Sequence, residues 1–141
     1  MSDFSMFMAG NAVKLESVKY VASNRFVHNK KPVQWELQAV SSEKDEAIRK
    51  ECTKKVPIQG KRGQSTLEVD NDKYIGKLCV ACVVYPNLND AALQDSYGVK
   101  SGEELLKRML LPGEYAELKV KIMEINGFDV SMEELVDEAK N

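Results

Sequence analysis

The chain has 141 residues, 43% hydrophobic and 30% charged, which is enough aliphatic content to bury one core and too much for a disordered polymer. Twenty basic against 22 acidic residues leave a net charge of −2, so nothing in the overall balance attracts nucleic acid or an anionic membrane. No apolar run reaches the roughly 20 residues needed to cross a bilayer. Three cysteines are too few for a disulfide framework and fit reduced thiols.

Residues 1–14 read as a flexible leader. It is apolar at Phe4, Met6, Phe7 and Met8 but lacks the positive start and longer apolar core of a secretory signal, so a cytosolic protein is expected. Residues 16–27 carry the strand formers Val18, Tyr20, Val21, Phe26 and Val27, and residues 33–40 alternate Val33, Trp35, Leu37 and Ala39 on one face. With His28-Asn29-Lys30-Lys31-Pro32 between them, they predict an antiparallel hairpin with a basic loop and Trp35 as core anchor. Ser42 and Asp45 then start a helix expected to run to about Lys55, with Ala47, Ile48 and Cys52 as a thin apolar stripe and Pro57 ending it. Residues 56–69 hold Gly60-Lys61-Arg62-Gly63, a turn suited to joining two short strands.

Asp70 or Asn71 caps the next helix, in which Tyr74, Ile75, Leu78, Cys79, Cys82 and Val83 share a face. Val80, Ala81 and Val84 make its second half apolar all round, so it is the expected buried central helix. Pro86 breaks that run, and Asn89 caps a short helix closed by Gly98. Ser101 with Glu104 reads as a capping box opening a helix over 102–111, lined by Leu105, Leu106, Met109 and Leu110 and laced by Glu103–Lys107 and Glu104–Arg108 pairs. Tyr115, Leu118, Ile122 and Ile125 recur at heptad-like spacing over 113–126, with Gly127 as C-terminal cap. A last helix is predicted from Ser131 and Glu134, with Met132, Leu135, Val136 and Ala139 on one face. The expectation is a single α+β domain over 15–141, an N-terminal hairpin or small sheet (15–69 strand-rich) packed on a helical C-terminal part (70–141).

No catalytic constellation stands out. Cys79-Val80-Ala81-Cys82 has the spacing of a metal or redox motif, and Cys52 with His28 would complete four ligands. The pair sits mid-helix among apolar residues, however, and reads as buried structural cysteine. His28 is the only histidine and falls at an exposed hairpin tip, and the carboxylates fall at helix starts or in paired faces. Gly60-Lys61-Arg62-Gly63 lacks the P-loop pattern. No catalytic, cofactor or metal residue is therefore assigned. What remains is apolar surface beyond the needs of one small core. Phe4, Phe7 and Met8 in the leader and Tyr115, Leu118, Ile122 and Ile125 in the penultimate helix are the candidate partner-binding residues.

Three segments carry a resemblance: Tyr85-Pro86-Asn87-Leu88-Asn89-Asp90, Leu93-Gln94-Asp95-Ser96-Tyr97-Gly98-Val99 and Leu110-Leu111-Pro112-Gly113-Glu114-Tyr115. Together with Trp35-Glu36-Leu37, Cys52-Thr53-Lys54-Lys55 and Gly127-Phe128-Asp129, they make the chain similar to the XkdN-like phage tail assembly chaperones of Gram-positive phages and prophages. The resemblance implies a non-enzymatic protein of the host cytoplasm, absent from the finished virion, without a cofactor. It would coat the tape measure protein, keep it soluble and recruit tail tube subunits, with self-association as a further option. The alternative is a small regulatory or nucleic-acid-binding module using the basic loops around Lys30, Lys54 and Lys61. Salt separates the two, because phosphate binding weakens steeply as salt rises.

Overall fold

A computed structural model describes residues 3–128. After a 3-10 turn over Ser5–Phe7, the strands β1 (Val18–Tyr20), β2 (Val27–His28), β3 (Lys31–Pro32) and β4 (Trp35–Leu37) follow in order. The expected hairpin forms: β1 pairs antiparallel with β4, placing Val18 opposite Leu37 and Tyr20 opposite Trp35. Its tip is tighter than a polar loop. Asn29 and Lys30 both take positive φ (51° and 66°), a mirror-image two-residue turn that matches strand twist. Because Tyr20 faces Trp35 and Val27 faces Pro32, residues 21–26 bulge out against only 33 and 34. The bulge buries Ala22 and Ser23 and brings the Phe26 ring 6.5 Å from Trp35.

Helix α1 covers Ser42–Glu51, capped by Ser41, whose hydroxyl accepts the Lys44 N–H at 3.1 Å. Ser42 is therefore the first helical residue, not the cap. The expected extension to Lys55 does not occur. Thr53–Pro57 forms β5, which pairs antiparallel with β6 (Ser65–Val69) from Thr53↔Val69 to Pro57↔Ser65. The β-branched Thr53 and Val56 favour extended backbone, and the Asp70 N–H donating to the Cys52 carbonyl (2.8 Å) pins the hairpin's base.

Asp70 caps α2 (Asn71–Cys82), accepting the Lys73 N–H at 3.2 Å. Tyr74, Gly76, Leu78, Cys79 and Cys82 are buried, and α2 packs against α1, α4 (Gly102–Met109) and α5 (Pro112–Ile125), so it is the central helix. Between α2 and α4 lie β7 (Val83–Tyr85) and the short α3 (Ala91–Ser96). Val83 and Val84 were expected to continue the helix, yet they form β7. It joins β4 so that the sheet order is β1-β4-β7, with a bulge between Glu36 and Leu37. Two β-branched residues and an aromatic before Pro86 prefer extended backbone, and β4 offered an unpaired edge.

Asp90, not Asn89, caps α3 by accepting the Leu93 N–H at 2.9 Å, while the Asn89 N–H donates to the Asn87 side chain. At α4 the box is half closed. Ser101 accepts the Glu104 N–H (3.2 Å), but the Glu104 carboxylate turns to the Lys100 N–H (3.4 Å). Neither i,i+4 pair expected on α4 forms among the described residues; Glu103 instead pairs with Lys77 of α2 at 3.3 Å. Helix α5 ends in a Schellman motif. The Gly127 N–H (φ 84°) donates to the Glu124 carbonyl and the Phe128 N–H to that of Met123. The helix expected from Ser131, with Met132, Leu135, Val136 and Ala139, lies outside the described residues. The molecule is a mixed α+β protein whose core joins Trp35 and Leu37 of the sheet to the inner faces of α2, α4 and α5.

Candidate functional site

Residues 3–15 form an arm that precedes β1. Asp3 accepts the Ser5 N–H at 2.9 Å and starts the 3-10 turn, while the Asn11 amide reaches back to the Ser5 carbonyl at 2.8 Å. Every hydrogen bond of the arm among the described residues ends within the arm itself. Its side chains face water: Phe4 is 64% exposed, Met6 64%, Phe7 74% and Met8 60%, with Val13 and Leu15 exposed beyond them. Four large apolar side chains within five residues form a contiguous unsatisfied strip, unlike singly scattered surface hydrophobes.

The α5 residues fare differently. Leu118 and Ile122 are fully buried, because α5 lays this face on α2 and α4. Tyr115 and Ile125 are half-buried at the edge of the same core. The Tyr115 hydroxyl lies 3.4 Å from where a Cβ on Gly76 would sit, and Lys119 Nζ stands 4.2 Å from the Tyr115 ring centre. Of the seven residues marked from sequence, Phe4, Phe7 and Met8 are thus accessible and Leu118 and Ile122 are interior. Val84 and Tyr85 on β7, Leu67 on β6 and Leu111 before α5 are exposed as well and were not marked from the sequence; Val84 fell inside the apolar run read as helix.

Polar chemistry in the molecule holds elements together. The Tyr74 hydroxyl donates to Asp45, and Arg49 Nε donates to the other Asp45 oxygen at 3.0 Å, joining α1 to α2. Burial, then the bond to Asp45, pushes the Tyr74 phenol up to about 12. Glu114 opens α5 by accepting the Leu111 N–H at 2.8 Å, and its carboxylate also accepts from Arg25 of the bulge at 2.9 Å. The Leu111 amide, the Ser23 hydroxyl and Arg25 hold the Glu114 carboxyl down at about 2. Arg25 donates a second bond to the Met109 carbonyl at 2.6 Å, so the bulge is stapled to the α4–α5 junction.

All three cysteines are buried. Burial and then the charge of Cys82 push the Cys79 thiol up to about 12, far from a nucleophile's range. Cys82 Sγ accepts the Asn126 side-chain N–H at 3.4 Å, and Asn126 Oδ1 accepts the Val40 N–H at 3.0 Å, tying the end of α5 to α2 and to the segment that follows β4. Among the described residues no cluster of three or more His, Cys, Asp and Glu could hold a metal ion, and no helix is long and apolar enough to cross a membrane. His28 lines an open depression of about 550 Å3 with Val21, Lys31, Pro32, Val33 and Gln34.

Comparison with known proteins gives one consistent result. The model of a family described as phage XkdN-like tail assembly chaperone protein matches residues 4–140. Protein YqbN of Bacillus subtilis, described as uncharacterized, is 35% identical over 99% of this chain and 93% of its own length. The XkdN protein of the phage-like element PBSX of B. subtilis is 32% identical over 99% of this chain and 94% of its own. A crystal structure of YqbN superimposes with a TM-score of 0.79 at 30% identity, over 92% of this chain and 99% of that one.

Proposed function

The chain belongs to the XkdN-like phage tail assembly chaperones, and from that premise we propose that it binds the tape measure protein through its N-terminal arm. It holds that long, helix-rich client in solution in the host cytoplasm and helps recruit tail tube subunits, without making or breaking bonds. The observation that carries this reading is the strip Phe4, Met6, Phe7 and Met8, each at least 60% exposed. An amphipathic helical client aggregates through its own apolar stripe when bare, and unbranched methionines beside two aromatic rings adapt to many such stripes. Each arm is short, so each contact is modest. Many copies cover a long client and leave it one at a time.

The test is co-expression with the tape measure protein from the same phage or prophage locus. The wild-type chain should raise the client's soluble fraction, and the Phe4→Ser/Phe7→Ser/Met8→Ser variant should lose that effect while melting at the wild-type temperature. A client whose solubility ignores the wild-type chain would overturn the proposal. Raised salt should leave the complex intact, since apolar contacts are not screened as phosphate contacts are.

A further inference from the structure

The β5–β6 hairpin stands apart from the body. Among the described residues its strands pair only with each other, and of their ten residues only Thr53, Val56 and Val69 are even half-buried. Each strand therefore has a free outer edge. The Asp70 N–H donates to the Cys52 carbonyl at 2.8 Å, and the Ile58 N–H to the Gln64 carbonyl at 3.1 Å. Bonded pairs alternate along an antiparallel ladder, so between those two they fall at Lys54↔Glu68 and Val56↔Thr66. The backbone N–H and C=O groups of Ser65, Leu67 and Val69 are left turned outward from β6.

The two edges differ. On β5 the outward positions are Thr53, Lys55 and Pro57. The proline has no N–H to donate, and Lys55 at the centre would meet its own charge in a second copy; both features blunt an edge. Strand β6 carries neither proline nor lysine, and Leu67 at its centre is 66% exposed.

Set antiparallel against a copy of itself about Leu67, β6 is self-complementary. Ser65 falls opposite Val69 of the copy, Thr66 opposite Glu68 and Leu67 opposite Leu67. An apolar pair then sits on the two-fold axis, and no like charges face each other. This register also joins outward backbone groups to outward backbone groups, as the alternation requires. It carries the turn between Gly60 and Gly63 of one copy alongside the start of α2 in the other. Lys61 and Arg62 on that turn, and Asp72 in the first turn of α2, have no ion-pair partner among the described residues. Opposite charges thus meet at both ends of the strand pair.

We propose that two copies associate through β6, joining their hairpins into one four-stranded antiparallel sheet about a two-fold axis at Leu67. The contact uses the same patch on both molecules, so it closes at two copies. Two five-residue strands bury little area, so the association is weak and depends on concentration. It uses no residue of the N-terminal arm and stands independently of any client.

Sedimentation of the isolated full-length protein tests it. The weight-average mass should climb with concentration, up to about 1 mM, from the 15.8 kDa monomer toward twice that value and no further. Leu67→Lys sets like charges face to face on the axis and spares the hairpin's own bonds. It should melt like the wild type and weaken association about tenfold or more. Lys61→Glu/Arg62→Glu and, separately, Asp72→Lys should each associate more weakly than the wild type. An equimolar mixture of these two variants should regain the larger mass, because opposite charges again meet at both ends. A wild-type chain monomeric across that range, a mass that passes the dimer, or a Leu67→Lys variant that pairs like the wild type overturns the proposal. So does a mixture no heavier than its components.

Discussion

In the arm, Phe4, Met6, Phe7 and Met8 keep 60% to 74% of their surface in water; in α5, Leu118 and Ile122 keep none. Both stretches read as surplus apolar surface in the sequence, and only one is. The difference lies in what flanks them. Helix α5 follows α4 after a two-residue junction, and the Glu114–Arg25 staple holds its start against the bulge, so its stripe falls onto α2. The arm runs into β1 without a bond to the body among the described residues. A hydrophobic stripe with a rigid neighbour becomes core, and one without stays exposed to water.

Truncating the interior stripe tests that contrast hardest. Leu118→Ala should cost about 2–5 kcal/mol in denaturant unfolding, through lost transfer energy and the cavity left behind. A cost near zero would mean that this face of α5 is not core. Next comes the α2–α4 packing that receives α5. A Cβ on Gly102 would fall 2.8 Å from Val80 Cγ1, and the β-branched valine has little rotamer freedom to yield. Gly102→Ala should therefore cost about 1–3 kcal/mol, with Val80→Ala recovering part of it in the double variant.

The staple at the head of α5 should show in acid. Its carboxyl titrates at about 2 rather than the ordinary 4.5, so the unfolded chain binds the proton first as pH falls. Its stabilising effect is present in full above 4.5 and fades as pH drops toward 2. Wild type should be more stable than Glu114→Gln at neutral pH, and the two denaturant curves should converge across that window. The smallest effect belongs to the arm. Its triple serine variant should shift stability by less than about 0.5 kcal/mol, as surface changes do, while abolishing client protection. A large loss of stability there would make the arm a part of the fold.

Trp35 as core anchor, α2 as central helix and Gly127 as the closing cap were all legible, because period, size and backbone freedom are local properties. Two boundaries were not. Val83-Val84-Tyr85 extends the apolar run of α2 without a break in hydrophobicity, and the free edge of β4 lets its preference for extended backbone win. Thr53-Lys54-Lys55 continues α1 in polarity, and pairing across to Val69, Glu68 and Leu67 draws it out straight. The Glu103–Lys107 pair failed for a related reason: Lys77, brought in by α2, takes Glu103, while Glu104 turns to the Lys100 amide. For the site, the sequence marked seven residues; three lie on the accessible arm and two are enclosed.

Composition and pattern alone thus determined Trp35 and α2 as core elements, most of the helices and the cap at Gly127, while the likeness to the family rested on particular segments. Tertiary structure alone decided which apolar stripe was covered and where helix gave way to strand. The reason is physical. Propensity and charge belong to residues within a few positions of one another, whereas burial and edge pairing depend on surfaces that distant segments bring together.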